Sequence, residues 1–371
     1  VARASGKSIS TVSVALSGRA GVSDATRAVV LEAANRLGWR PDRRASILRR
    51  QDSHLVGVMY EVEQTFQARL LDALYVEAGG AGLELVLTGA TAHHDERASV
   101  AELLRDRCQA IMLTGSELTD AEIGDVARHL PTLSLCRPVR AAGVDSVVCD
   151  EDMGLGQAVG HLVRLGHRDV AHVDGGGRNP LSRRRADAYG RAMRERGLGD
   201  MVRVFPGGSA LADGVAAARE IAACPTPPTG ITCYNDVCAA GLVRELRRCG
   251  LGVPEDISVI GFDDGPEAAD PSTSLTTICQ DPLPLAHAAM TLVRTRILDG
   301  GVVVWGVRRR PSSCRRAWWS ALERASEERT PRRPVRNVVV KRYVSVRTSR
   351  FVCTYAIVGV SPRRSGVLTT D

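Results

Sequence analysis

The sequence predicts an α/β protein: two doubly wound parallel-sheet lobes preceded by a small all-α helix-turn-helix domain. Residues 1–41 carry three short amphipathic helix patterns and no alternating strand pattern. From His54 to Gly300, short apolar runs alternate with longer amphipathic stretches, the signature of βαβ units on parallel sheets, and the runs fall into two sets. Charge divides the chain at similar places. Residues 1–50 hold ten Lys/Arg against three Asp/Glu, residues 51–307 hold 23 against 35, and residues 308–371 hold 16 against four.

Residues 1–6 read as the end of a first helix, expected to fray because the chain opens inside it, with Gly6 at a tight turn. Ser8 is placed to cap a second helix on which Val12, Ala15 and Leu16 form a narrow apolar stripe. Ser10, Ser13 and Ser17 line the opposite side, a row of short hydroxyls that lets a phosphate backbone come close. These residues alone fit a DNA recognition helix and a plain amphipathic hairpin equally well. A third helix starts at Ser23 and runs through Thr26, Val29, Val30, Ala33 and Leu37 to a stop at Gly38, and Trp39-Arg40-Pro41 ends it. In residues 42–53, Ala45, Ile47 and Leu48 stand among Arg43, Arg44, Arg49 and Arg50. The local excess of basic charge suits phosphate neutralisation and a salt-dependent affinity for nucleic acid, and a solvated basic surface is the alternative.

Val1-Ala2, Ser5-Gly6, Ser10-Thr11-Val12-Ser13, Leu16, Gly18, Val22-Ser23, Thr26-Arg27, Leu37-Gly38 and Arg40-Pro41 together resemble the headpiece of the LacI/GalR family. The resemblance implies a DNA-binding headpiece over residues 1–41. In it Ser8, Ile9, Ser10, Thr11, Ser13, Val14 and Arg27 face double-stranded operator DNA. It also implies a hinge over residues 42–53 that becomes helical on the operator, with Leu48 wedging into a central minor-groove step. Ile9 and Ser10 match the family's base-reading positions at the start of the recognition helix. Val14 stands where an arginine is frequent, so a direct guanine contact is not implied.

In the middle of the chain, strands are expected at residues 55–59, 83–87, 110–113 and 132–135 in the first set, and at 169–173, 230–233 and 257–261 in the second. Open sheets place ligands beyond the carboxyl ends of their strands. Leu165-Gly166-His167-Arg168, Asn235-Asp236, residues 253–264 and Leu275-Thr276-Thr277-Ile278 resemble the same family's effector domain, which shares its fold with periplasmic sugar-binding proteins. This implies a two-lobed effector-binding and dimerisation domain over residues 54–300. The first lobe takes about 54–149 and 278–300, the second about 150–277. The implied partners are a sugar-like small molecule and a second copy of the chain. By position, Phe66 matches an aromatic that caps the ligand, while Arg185, Asn235, Asp236 and Asp263 match its polar contacts. A polyol needs such fixed donors and acceptors around an apolar plate. Structural roles stay open beside these: Asp263 and Asp264 as turn caps, Asn235-Asp236 as a helix start, and Arg185 as one surface arginine among Arg178, Arg183 and Arg184. Cys136 replaces a frequent acidic residue and Ser209 a second aromatic plate, which implies an unusual effector or none.

Gly175-Gly176-Gly177 lacks the full spacing of a dinucleotide loop, and no triad or carboxylate pair is readable beside it, so neither an enzyme nor a cofactor is expected. His93 and His94 are adjacent and make no metal-ligand pair. Ten cysteines without CxxC spacing suit a reducing compartment. With no signal peptide pattern and no membrane-length apolar run, a cytoplasmic location without a membrane partner is expected. Beyond Gly300 the character changes, with three of the four tryptophans in residues 305–319. A changed reading frame, leaving a poorly ordered basic tail over 301–371, is one account. A genuine extension that binds nucleic acid through Arg308-Arg309-Arg310, Arg332-Arg333 and Trp318-Trp319 is the other. The expected function is a sequence-specific transcriptional regulator, a repressor, whose operator affinity a small molecule modulates. A frame-damaged inactive relative and a small-molecule-binding protein without regulated DNA binding are the alternatives.

Overall fold

A computed structural model describes residues 1–16, 20–38, 53–177, 179–298, 340–341, 344–347 and 352–355. The chain forms two compact units, Val1–Ser53 and His54–Asp371.

In the first unit, α1 (Ala2–Ser5), α2 (Ile9–Leu16) and α3 (Asp24–Arg36) follow the expected caps closely. Gly6 closes α1 in the left-handed region at φ 63°, and the Lys7 N–H then reaches the Ala2 carbonyl at 3.2 Å. A side chain at that φ would crowd its own backbone, which is why glycine serves there. Ser8 Oγ accepts from the Thr11 N–H at 3.1 Å and Ser23 Oγ from the Thr26 N–H at 3.3 Å, so each helix has a side-chain acceptor for one orphan donor. Val12, Ala15 and Val30 make the buried centre, flanked by Val1, Ala2, Leu16 and Val22.

The second unit contains two sheets. In the first lobe, β1 (Leu55–Glu61), β2 (Glu84–Ala90), β3 (Ala110–Thr114), β4 (Thr132–Leu135) and β5 (Val144–Cys149) alternate with α4 (Thr65–Ala81), α5 (Glu96–Arg105) and α6 (Asp120–Ala127). The second lobe contains α7 (Glu151–Arg164), β6 (Val170–Val173), α8 (Pro180–Arg194), β7 (Arg203–Phe205), α9 (Leu211–Ala222) and β8 (Gly230–Cys233). It continues with α10 (Asp236–Arg248), β9 (Ser258–Asp263), α11 (Pro266–Ala269) and β10 (Thr276–Cys279), after which α12 (Pro282–Leu298) returns to the first lobe. The parallel strands run β2-β1-β3-β4-β5 in one sheet and β7-β6-β8-β9-β10 in the other, the same doubly wound order twice. Helices cover both faces, so β3, β4, β5, β6 and β8 are buried along their whole length. The backbone of β12 (Val344–Arg347) pairs antiparallel with β5, β13 (Val352–Tyr355) pairs with β12, and β11 (Val340–Lys341) pairs parallel with β10.

Among the described residues, β5, β7, β10 and the added strands β11, β12 and β13 go beyond those expected from the sequence. β5 carries Asp145 in a fully buried run, and Arg296 of α12 meets that carboxylate with two hydrogen bonds of 2.7 and 3.0 Å. A buried carboxylate is tolerated when a planar guanidinium supplies two donors at once. Helix starts repeat one device. Asp95, Thr119, Asp150, Asn179 and Asn235 each cap a helix with a side-chain oxygen.

Candidate functional site

Two places in the chain gather the residues singled out from the sequence. The first is α2. Its inner face, Val12 and Ala15, is buried, while Ser8, Ser10 and Ser13 are exposed and Ile9 is 80% exposed. Ser8 Oγ lies 2.8 Å from the hydroxyls of both Ser10 and Thr11, so the helix start presents a hydroxyl cluster beside an apolar side chain left in water. An exposed isoleucine beside short polar groups suits a groove floor with thymine methyls and phosphate edges. Val14 is half-buried at the side of the helix.

Arg27 sits differently from its neighbours on α2. Its Nη1 donates to the Ala15 carbonyl at 2.6 Å, placing a cation at the carboxyl end of α2. That end carries orphan carbonyls and partial negative charge, so Arg27 braces the recognition helix from α3. Arg27→Met is expected to lower the stability of the first unit by about 1–2 kcal/mol. Thermal unfolding of the full chain followed by amide exchange at residues 9–16 measures it, and unchanged exchange there would remove the bracing role. Leu48 and Ser17 lie outside the described residues.

The second place is the carboxyl ends of the two sheets. In strand order 2-1-3-4-5 the progression of strands across the sheet reverses between β1 and β3, and likewise between β6 and β8, the points at which open sheets place ligands. In the first lobe Gln67 joins those two strand ends: its Oε1 accepts from the Glu61 N–H at 2.7 Å and from the Thr114 hydroxyl at 2.6 Å. Glu61 itself is half-buried, and burial, then the nearby Glu117, pushes its carboxyl above the ordinary range.

In the second lobe Arg185 is only 2% exposed. Its guanidinium lies 3.7 Å from the Phe262 ring centroid and 4.8 Å from that of Tyr234, and it donates to the Tyr234 carbonyl. Its Nη2 is 3.9 Å from Asp263 Oδ1, and its Nε has no hydrogen-bond partner among the described residues. This is a cation held by two aromatic faces and one carboxylate, with a donor unused. Asp263 also accepts from Gln280 Nε2 at 2.5 Å, and burial pushes its carboxyl up to about 6 although Arg185 pulls it back. Asn179 donates to the Tyr234 hydroxyl at 3.1 Å, and a Cβ on Gly175 would stand 2.4 Å from the Tyr234 ring, so the glycine there makes room for the tyrosine.

The structure thus brings Arg185 and Asp263 together, and gives other tasks to their companions. Asn235 caps α10 through Oδ1, at 2.8 Å from the Cys238 N–H, and its Nδ2 donates to the Ser209 carbonyl at 2.9 Å. Asp236 accepts from the Thr277 hydroxyl and from the Gly265 N–H at 2.5 and 2.7 Å. Phe66 is buried in the first-lobe core around Leu70, Leu135 and Val147. Cys136, in the left-handed region at φ 64°, and Cys149 are buried thiols; burial pushes Cys136 up to about 12 and Cys149 well above its ordinary value. Held this high, both thiols stay protonated at neutral pH and are weak nucleophiles. Tyr234, Gln280 and Glu61 were not singled out from the sequence; the strand-end positions of Tyr234 and Glu61 were the available signal.

The comparisons with known proteins agree with this division of the chain. The family model for bacterial regulatory proteins of the lacI family matches residues 1–42, and that for a periplasmic binding protein-like domain matches residues 159–317. The HTH-type transcriptional regulator GalS of Salmonella typhimurium is 31% identical over 283 residues, 75% of this chain and 83% of the relative. The HTH-type transcriptional repressor CytR of Escherichia coli is 31% identical over 294 residues, 77% of this chain and 85% of the relative. Among solved structures, a LacI transcriptional regulator from a Rhodococcus species aligns with a TM-score of 0.63 and 35% identity, over 66% of this chain and 90% of that one. The lac repressor dimer bound to operator and an anti-inducer aligns with a TM-score of 0.71 and 25% identity, over 81% and 92%.

Fold, recognition helix and relatives define a helix-turn-helix transcription regulator rather than an enzyme. The chain belongs to the lacI family of bacterial regulatory proteins. None of the described helices is long and apolar enough to cross a membrane.

Proposed function

We propose that the chain is a cytoplasmic, homodimeric repressor whose affinity for a near-palindromic operator is set by a sugar-like small molecule in the crevice between its lobes. The observation that carries the reading is the outer face of α2, where exposed Ile9, Ser10 and Ser13 stand opposite the buried Val12 and Ala15. Ser8 and Thr11 order the start of that helix, and Arg27 supports its end. Support for the effector comes from Arg185, Tyr234, Phe262 and Asp263, an aromatic and charged set at the strand ends with one donor unused. Relatives point the same way: CytR is named a repressor, and the aligned lac repressor is a dimer on operator. Phe66, Asn235 and Asp236 shape the crevice from behind in this reading, and residues 301–371 form a basic segment of separate character.

A salt-titrated selection from random duplex DNA with the full chain tests the proposal. One palindromic site with a steep salt slope is the expected result, and binding without sequence preference would refute it. Leu48→Ala is expected to lower affinity for that site at least tenfold while leaving binding to unrelated duplex unchanged. Equal operator affinity would discard the minor-groove wedge.

A further inference from the structure

We propose that Arg69 is a latch between the lobes, a positioning residue on α4 that holds the loop after β9 against the first lobe. The proposal rests on the reading of the crevice as an effector site and adds the means by which closure is maintained there. Arg69 Nη1 lies 3.0 Å from the Asp263 carbonyl and 3.0 Å from the Asp264 carbonyl, so one guanidinium nitrogen of the first lobe joins two successive carbonyls of the second. Both of those residues are in the left-handed region, Asp263 at φ 114° and Asp264 at φ 55°. Two adjacent non-glycine residues with positive φ are unfavourable and persist only where surrounding contacts hold them.

Within its own lobe the loop is tied by its N–H groups. The Gly265 N–H reaches Asp236 Oδ2 at 2.7 Å and the Asp264 N–H reaches Thr277 Oγ1 at 3.4 Å. The two carbonyls are answered across the crevice by Arg69, through charge-assisted bonds stronger than neutral ones. The latched residue is also the one whose carboxylate meets Arg185 and Gln280. A molecule that binds Arg185 and Asp263 therefore acts on the backbone that Arg69 grips, and release of the latch changes the lobe arrangement.

Amide exchange on the full chain tests this with Arg69→Met and Arg69→Lys. In Arg69→Met, exchange at residues 264–268 should rise about tenfold, the loss expected for a charge-assisted bond, while residues 238–246 within α10 keep their wild-type protection. Arg69→Lys keeps a charged donor and should retain most of the protection. Affinity of Arg69→Met for the operator selected by the wild-type protein should shift at least threefold. Wild-type exchange at 264–268 in Arg69→Met overturns the latch, and raised exchange with unchanged operator affinity overturns its part in regulation. Failure of the wild-type protein to select any DNA site would instead refute the regulator reading, and the exchange comparison would still decide whether the latch exists.

Discussion

Gly214→Ala should destabilise the second lobe by about 3 kcal/mol or more, the upper range for overpacking. α9 and α10 meet backbone to backbone at this residue. A Cβ on Gly214 would fall 2.8 Å from the Leu242 nitrogen and closer still, at 1.9 Å, to the Cys238 carbonyl oxygen. A Cβ on Gly241 would fall 2.1 Å from the Leu211 carbonyl oxygen, so the contact is closed from both sides. Side-chain ends rotate away from an intruder, but helix carbonyls do not. The helices must separate, and Ile221, Leu242, Val243 and Leu246 lose contacts in the core they share with β8. Gly156→Ala on α7 is the matched control, because nothing lies within 4 Å of a Cβ there. It should be neutral or stabilising by up to about 1 kcal/mol through helix propensity. Urea unfolding of the three proteins measures both effects. A Gly214→Ala midpoint equal to wild type would mean that the two helices separate without cost.

Sequence reasoning reached the elements whose signals are local. Ser8 and Ser23 announce α2 and α3 because a cap is decided within three residues, and the structure shows those hydrogen bonds. β3 and β8 were legible as short apolar runs covered on both faces. β5 was not, since Asp145 and Ser146 break its apolar run and the partner that makes Asp145 tolerable, Arg296, lies 151 residues away. The site divides in the same way. Arg185 and Asp263 were placed at strand ends and they meet there. Asn235 was read both as a ligand contact and as a helix cap, and capping is the task that its Oδ1 performs. Tyr234 gave no local sign of its place, because what it needs is a glycine 59 positions earlier, at Gly175. Arg69 likewise meets carbonyls 194 and 195 residues further on, a pairing that only the closed arrangement of two sheets creates.

Stability of the second lobe should fall as pH rises from about 4 to about 8, and Asp236→Asn should abolish most of that dependence. Asp236 is 1% exposed at the start of α10. Burial, then the charge on Asp263, pushes its carboxyl from 3.8 up to about 8. Below about pH 4 folded and unfolded chains both hold the proton, and this group adds no pH dependence. Between its unfolded and folded values the unfolded chain releases the proton while the folded one keeps it, so each rise in pH favours unfolding, by at most about 1.4 kcal/mol per unit. Above about 8 the folded carboxyl ionises too and the cost stops growing. Asparagine suits the site because it matches the protonated acid. Its Oδ1 accepts from the Gly265 N–H, and its Nδ2 donates to Thr277 Oγ1, whose hydroxyl rotates to receive it. Asp263 adds to the fall over a narrower window, from its unfolded value to about 6, because burial outweighs the pull of Arg185 on its carboxylate. Urea unfolding at pH 5, 6, 7 and 8 should therefore show Asp236→Asn above wild type at pH 8, the two converging toward pH 5. Parallel curves for wild type and Asp236→Asn would show that Asp236 is already ionised in the folded protein, stabilised by its two donors against both burial and the neighbouring Asp263.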